Sequence, residues 1–154
     1  MMDYQSTAAC GPKPANGGKR RMNKQRKPVR VMLVEDSQPV RERLHSLLEE
    51  SAPVVIVAEA STVEGAIMFF RQHRPDAVVL DLDLTDGNGG AALRAIKRLR
   101  PACVVLVLTN FAVPGYREHC LQLGADYFFD KFHEFERVPE VLATLVTAPA
   151  VQRV

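Results

Sequence analysis

From Pro28 onward the chain alternates short apolar runs with longer stretches whose apolar residues recur every three to four positions. Val29 to Val34 (VRVMLV) predicts a strand that ends at Glu35-Asp36. Ser37 then offers an N-cap, with Pro39 in the first turn, where its missing N–H costs nothing. Val40, Leu44, Leu47 and Leu48 follow at helical spacing. Val54 to Ala58 (VVIVA) predicts a second strand. Thr62 caps a predicted helix through Arg71, with Val63, Ala66, Ile67 and Phe70 on one face. Ala77 to Leu80 (AVVL) is apolar without a period, as suits a strand covered on both faces, and it ends at Asp81. Asn88 or Gly89 leads into a helix through Arg100, with Leu93, Ile96 and Leu99 expected inward and Pro101 as the stop. Cys103 to Leu108 (CVVLVL) predicts the fourth strand, ending at Thr109. A short helix follows Pro114 and stops near Gly124, a fitting C-cap. Tyr127 to Phe129 predicts a short fifth strand, ending at Asp130-Lys131, and a last helix is expected from about Glu134 to Val146. Pro139 makes the start of that helix ambiguous, because proline belongs in a first turn.

Five strands separated by helical segments point to an α/β fold, a doubly wound parallel sheet with helices on both faces. The five-stranded, flavodoxin-like order 2-1-3-4-5 is one of the two common solutions. A chain of 154 residues with 47% hydrophobic and 25% charged residues fits one ordinary globular domain, here expected over residues 29–148.

Charge divides the chain further. Residues 1–30 carry eight Lys/Arg against one acid (Asp3), a net +7, whereas residues 31–154 carry twelve against seventeen, a net −5. Residues 1–28 contain few large apolar side chains and are expected to be a disordered basic tail; residues 149–154 form a short C-terminal tail. The cluster Lys19-Arg20-Arg21 with Lys24, Arg26 and Lys27 could touch phosphate backbones, but it lacks the fold context and aromatic interleaving of a specific reader. Apolar runs are far short of a membrane span, and the N-terminus does not read as a secretory signal, so the expected location is cytoplasmic. Cys10, Cys103 and Cys120 have no metal-like spacing and read as free thiols.

The chemistry gathers where strands end. In the order 2-1-3-4-5 the first, third, fourth and fifth strands are neighbours, so Glu35, Asp36, Asp81, Thr109 and Lys131 converge at one sheet edge, where ligands of open α/β sheets bind. Carboxylates this close repel one another unless a cation or a proton intervenes. Mg²⁺ answers that need, held by one or two carboxylates with water and phosphate oxygens. A hydroxyl and an ammonium opposite the metal would hold the rest of a phosphoryl group, and aspartate can accept one as a nucleophile. Singly, each residue has a plainer explanation: Glu35-Asp36 as helix-cap acids, Thr109 as a β-favouring residue, Lys131 as a solvated lysine. Five together at consecutive strand ends are improbable by chance.

On these residues, over about Val29 to Val146, the chain resembles the receiver domains of two-component response regulators. The strand order comes from that resemblance, since the periodicity does not choose it. The resemblance implies that Asp81 is the phospho-acceptor, Asp36 a direct Mg²⁺ ligand and Glu35 a ligand through water. It implies that Asp83 gives its backbone carbonyl to the metal. Thr109 takes the place of the switch hydroxyl, Lys131 that of the phosphate-binding lysine, and Phe128 that of the aromatic switch residue. It further implies a sensor histidine kinase or phosphotransfer protein as phosphodonor, and a downstream protein reading the fourth helix, fifth strand and fifth helix. On this reading the protein is a phospho-accepting switch rather than an enzyme, in a stand-alone form without a DNA-binding domain. Three positions depart from the family's usual pattern: Thr85 and Phe132 stand where it usually has proline, and Asn110 where it usually has a small residue.

Two other functions compete. Asp81-Leu-Asp83-Leu-Thr85 also fits the DxDxT signature of the haloacid dehalogenase phosphatases, in which Asp81 would be the nucleophile and Asp83 the general acid/base. That family places its metal-binding acids after the lysine, whereas the acidic pair here precedes Asp81. A nucleic-acid-binding regulator acting through the basic tail is the other alternative.

Overall fold

The computed structural model describes residues 27–51, 53–110 and 113–147. The expected tails therefore lie outside the described residues, apart from Lys27 and Pro28. Along the chain run β1 (Val29–Val34), α1 (Gln38–Ser51), β2 (Val54–Ala60), α2 (Val63–His73) and β3 (Ala77–Leu80). There follow β4 (Asp83–Leu84), β5 (Gly87–Asn88), α3 (Gly89–Leu99), β6 (Val104–Thr109), α4 (Pro114–Gln122), β7 (Tyr127–Asp130) and α5 (Arg137–Thr147). The main sheet has the order β2-β1-β3-β6-β7, with every pairing parallel. This is the anticipated 2-1-3-4-5 arrangement, with a two-residue hairpin, β4-β5, added after β3.

The apolar strands lack a hydrophobic period because both of their faces are covered, and their pleat still sorts side chains two by two. Met32, Val34, Val78, Leu80, Val105, Val107 and Phe128 face one layer, with Ala66 and Phe70 of α2, Leu93 and Ile96 of α3, and Cys120 of α4. Val31, Leu33, Ala77, Val79, Leu106, Leu108 and Phe129 face the other, with Leu44 and Leu48 of α1 and Val138 and Leu142 of α5. Each crossover carries the chain to one layer or the other, and because every pairing is parallel, every strand delivers its C-terminal end to the same edge.

Local signals account for most boundaries. Thr62 accepts a hydrogen bond from the Gly65 N–H at 2.9 Å, and Asn88 accepts one from the Gly90 N–H at 2.6 Å, so both act as N-caps. Gly124 follows α4 at φ +112°, a left-handed conformation that glycine adopts without strain. Four expectations need correction. Strand β2 runs to Ala60 rather than Ala58, because parallel pairing with β1 continues through Val34↔Ala60. Leu99 is 44% exposed: it is the last residue of α3, where the helix leaves the core. The fourth strand begins at Val104, with Cys103 buried just before it. The last helix begins at Arg137 rather than near Glu134. Glu134 is held in a turn, its N–H donating to the Asp130 carbonyl and its carboxylate accepting from the Asp130 N–H. Pro139 then falls in the first turn of α5, where proline is tolerated.

Cys103 and Cys120 are buried free thiols, and burial pushes Cys103 up to about 12. Cys10 lies outside the described residues. Among the described residues, no helix is long and apolar enough to cross a membrane.

Candidate functional site

Strand β1 ends by aiming two successive acids in different directions. Glu35 is buried, with 2% of its surface exposed, while Asp36 is exposed. Strand β3 ends at Asp81, 4% exposed, and β7 leads into Lys131, whose side chain is 10% exposed. The Lys131 ammonium lies 2.7 Å from Glu35 Oε1 and 3.3 Å from Asp81 Oδ2. Its backbone N–H donates to the Thr109 carbonyl at 2.9 Å, which ties the loop after β7 to the end of β6. Oxygens of Glu35, Asp36 and Asp81 all lie within 4.8 Å of one another. The groove above them has a volume of about 330 Å³.

The electrostatics follow from burying two carboxylates against one ammonium. Burial raises Glu35 to about 7, an effect that its hydrogen bond to Lys131 only partly offsets; the Asp81 charge adds to the rise. Burial raises Asp81 as well, countered by the Lys131 charge and by the Asp83 N–H, which donates to Asp81 Oδ1 at 3.2 Å. The site is thus short of positive charge, and its exposed face is lined with oxygen donors.

The residues that depart from the family pattern have defined roles. The Thr85 hydroxyl donates to Asp36 Oδ2 at 3.2 Å and so orients the exposed carboxylate from the β4-β5 turn. Phe132 has an N–H that proline would lack, and it donates that N–H to Asp130 Oδ1 at 2.8 Å. Asp130 Oδ2 takes His133 Nδ1 at 3.0 Å, so this one carboxylate organises the loop after Lys131. Asn110 lines the groove, as do Asp83 and the 78% exposed ring of Phe132.

Two further named positions lie on β6 and β7. Thr109 is fully buried at the end of β6. Phe128 is 2% exposed in the layer of α2, α3 and α4, and the Arg117 guanidinium of α4 lies 5.6 Å from its ring centroid. Gly89 escaped notice as a site residue. A Cβ there would be driven into the Asp81 carbonyl oxygen and would come within 2.7 Å of Leu82 Cα. Its N–H donates to the Leu82 carbonyl at 2.8 Å, so α3 starts directly against the backbone that carries Asp81. Three glycines within ten residues of Asp81 (Gly87, Gly89 and Gly90) are a signal for such close approach.

A five-stranded parallel sheet of this order, with an acidic cluster and a lysine at the carboxyl edge, is the architecture of a phospho-acceptor signalling module. The response regulator receiver domain model matches residues 31–143, and the chain belongs to that family. It is 32% identical over 118 residues to the sensory transduction protein LytT of Bacillus cereus, covering 74% of this chain and 46% of LytT. The chain therefore spans about half the length of that relative. It is 31% identical over 118 residues to protein CcdB of Bacillus subtilis, covering 77% of this chain and 98% of CcdB. Among solved structures, a two-component response regulator of the LuxR family from Aurantimonas sp. SI85-9A1 superposes with a TM-score of 0.67 at 29% identity, covering 77% of this chain and 87% of that one. The dehalogenase alternative finds no favour in these likenesses. Among the described residues the carboxylates that cluster are Glu35, Asp36 and Asp81, and Glu134, beyond the lysine, is engaged with the Asp130 N–H and Arg137.

Proposed function

We propose that the protein is a phosphorylation-driven switch that accepts a phosphoryl group on Asp81 from a sensor histidine kinase or a phosphotransfer protein. The observation that carries this reading is the convergence of Glu35, Asp36, Asp81 and Lys131 on one groove at the carboxyl edge. The donor set fits Mg²⁺: three carboxylates supply hard oxygens, and Glu35 and Asp81, raised by burial, gain from a nearby cation. Asp36 and Asp81 would hold the ion directly with the Asp83 carbonyl, and Glu35 through water. When bound, Mg²⁺ neutralises charge on the carboxylates and on the phosphate oxygens.

The chain's own residues do the rest. An Asp81 oxygen forms a bond to phosphorus as the bond from phosphorus to the donor's imidazole nitrogen breaks. The imidazole leaves with the electron pair and keeps or takes up a proton. Lys131 turns from Glu35 and Asp81 to the new phosphate oxygens, and the Thr109 hydroxyl moves to a third. Phe128 follows Thr109 within the α4 layer, and a protein partner reads the resulting change on α4, β7 and α5. Location in the cytoplasm, action without turnover of a substrate, and a domain over residues 29–148 with tails on either side belong to the same reading.

Incubation with Mg²⁺ and a small phosphodonor, followed by intact mass measurement, tests it. One added phosphoryl group that disappears in Asp81→Asn is expected. Equal labelling of the Asn variant would refute Asp81 as acceptor.

A further inference from the structure

Helix α1 carries two arginines near the acidic groove, and they point to different tasks. Arg41 is consumed inside the fold: its guanidinium donates to the Glu35 carbonyl at 2.7 Å and pairs with Glu59 at 3.4 Å. Arg43 lies about 200° further round the helix. It is one turn on from the half-buried Val40, and both residues line the groove that holds Asp81 and Lys131.

The Arg43 guanidinium lies over the buried Phe135 ring, 3.9 Å from its centroid. A guanidinium held over a ring face leaves its N–H groups at the periphery, where they can fork onto a carboxylate or phosphate. Its ion-pair partner among the described residues, Glu136, is at 3.3 Å and 72% exposed, a contact that water readily replaces. Lys131, the other cation of the groove, is already shared between Glu35 and Asp81. Four carboxylates (Glu35, Asp36, Asp81 and Asp83) line the same space. An anionic phosphodonor must approach against that field.

We propose that Arg43 is the donor-recognition residue of the groove: it receives the phosphate oxygens of the incoming phosphodonor at the rim before Lys131 is released to take them. The inference rests on Asp81 being the phospho-acceptor. The ligand class is a phosphate bearing two negative charges on an activated bond, and Phe135 is the platform that fixes the arginine's aim. Arg43 sorts donors by charge, which a merely structural arginine would not do.

The experiment measures phosphorylation rates of the full chain with Mg²⁺ at pH 7, using two small donors. Acetyl phosphate presents a dianion; phosphoramidate carries an ammonium beside its phosphate. Arg43→Gln is expected to slow the acetyl phosphate reaction about fivefold to tenfold and the phosphoramidate reaction less than about twofold, with the gap closing near 0.5 M salt. Arg43→Lys, which keeps the charge without the fork, is expected to fall between. Wild-type rates with both donors in Arg43→Gln would overturn the proposal. So would an equal loss with both donors, accompanied by a lower melting temperature, because that pattern is structural. If Arg43→Gln fails to fold, the ratio of the two donor rates in Arg43→Lys decides: an unchanged ratio overturns the proposal. Absence of phosphorylation in the wild-type chain would instead refute the phospho-acceptor reading beneath it.

Discussion

Lys131 sits closer to Glu35 than to Asp81, 2.7 Å against 3.3 Å, so one ammonium bridges two buried carboxylates that belong to different strands. A single positive charge cannot stabilise two buried negative ones in full, and both acids are raised by burial. Loading the groove with a cation relieves that shortage.

The first consequence concerns stability without metal. Glu35 rises from its ordinary 4.5 to about 7, so across that window the native state holds a proton that the unfolded chain has released. Stability therefore falls as pH rises through the window, and Asp81 acts in the same direction. Asp86 and Asp130 are held low and act below it. The expected loss is on the order of 1–3 kcal/mol between pH 5 and pH 7.5 in chelator. Urea denaturation at the two pH values measures it, and Glu35→Gln should flatten the slope. A slope of the opposite sign would contradict the burial argument.

Metal binding should track the same protons. Apparent Mg²⁺ affinity is expected to rise with pH from 5 to 8, as bound protons leave the two acids. Asp36→Ala should weaken binding far more than Glu35→Ala, because only Asp36 is expected to ligate directly. Thr85→Val should weaken it roughly threefold to tenfold by freeing the Asp36 carboxylate from its hydroxyl partner. Titration followed by NMR shifts gives all three values. Equal losses for Asp36→Ala and Glu35→Ala would require a different ligand arrangement.

Gly89 marks where α3 meets the strand that leads into Asp81. Gly89→Ala forces a methyl into the Asp81–Leu82 backbone and is expected to cost about 2–4 kcal/mol. Phosphorylation should slow as well, since the displaced backbone carries Asp81, the proposed acceptor. Gly115→Ala is a control: a Cβ there meets nothing within 4 Å. Denaturation midpoints of the two variants should differ accordingly, and a near-neutral Gly89→Ala would show that the loop yields.

Much of this was legible in the residues. The apolar run of β3 announced a strand covered on both faces, those of β1 and β6 announced strands, and the polar residues ending the runs pointed to the candidate site. The β4-β5 hairpin was not read, although Asp86-Gly87 is a turn signal, because two-residue strands are too short to show a period. The division of labour between Glu35 and Asp36 came only from the family resemblance, not from the residues themselves. Adjacent acids at a strand end differ only in which side of the sheet edge they take, and the partners that decide it, Lys131 and Thr85, lie far along the chain. The role of Asp130 is local, two and three residues from its partners Phe132 and His133, but it went unread because an acid beside a lysine at a strand end carries no pattern of its own.

Turnover separates a switch from a phosphatase. With phosphomonoesters and Mg²⁺ at neutral pH, no sustained hydrolysis is expected, because the cluster gathers no second acidic pair beyond Lys131 among the described residues. Release of inorganic phosphate over many turnovers, lost in Asp83→Asn, would revive the DxDxT reading.

Trapping of the acyl phosphate tests the central claim most directly. After reaction with a small phosphodonor and Mg²⁺, borohydride reduces an aspartyl phosphate to homoserine, and peptide mass spectrometry locates it. Homoserine at position 81 alone is the expected result. Homoserine at 36 or 83, or phosphate that resists borohydride on a histidine or hydroxyl side chain, would contradict Asp81 as the acceptor.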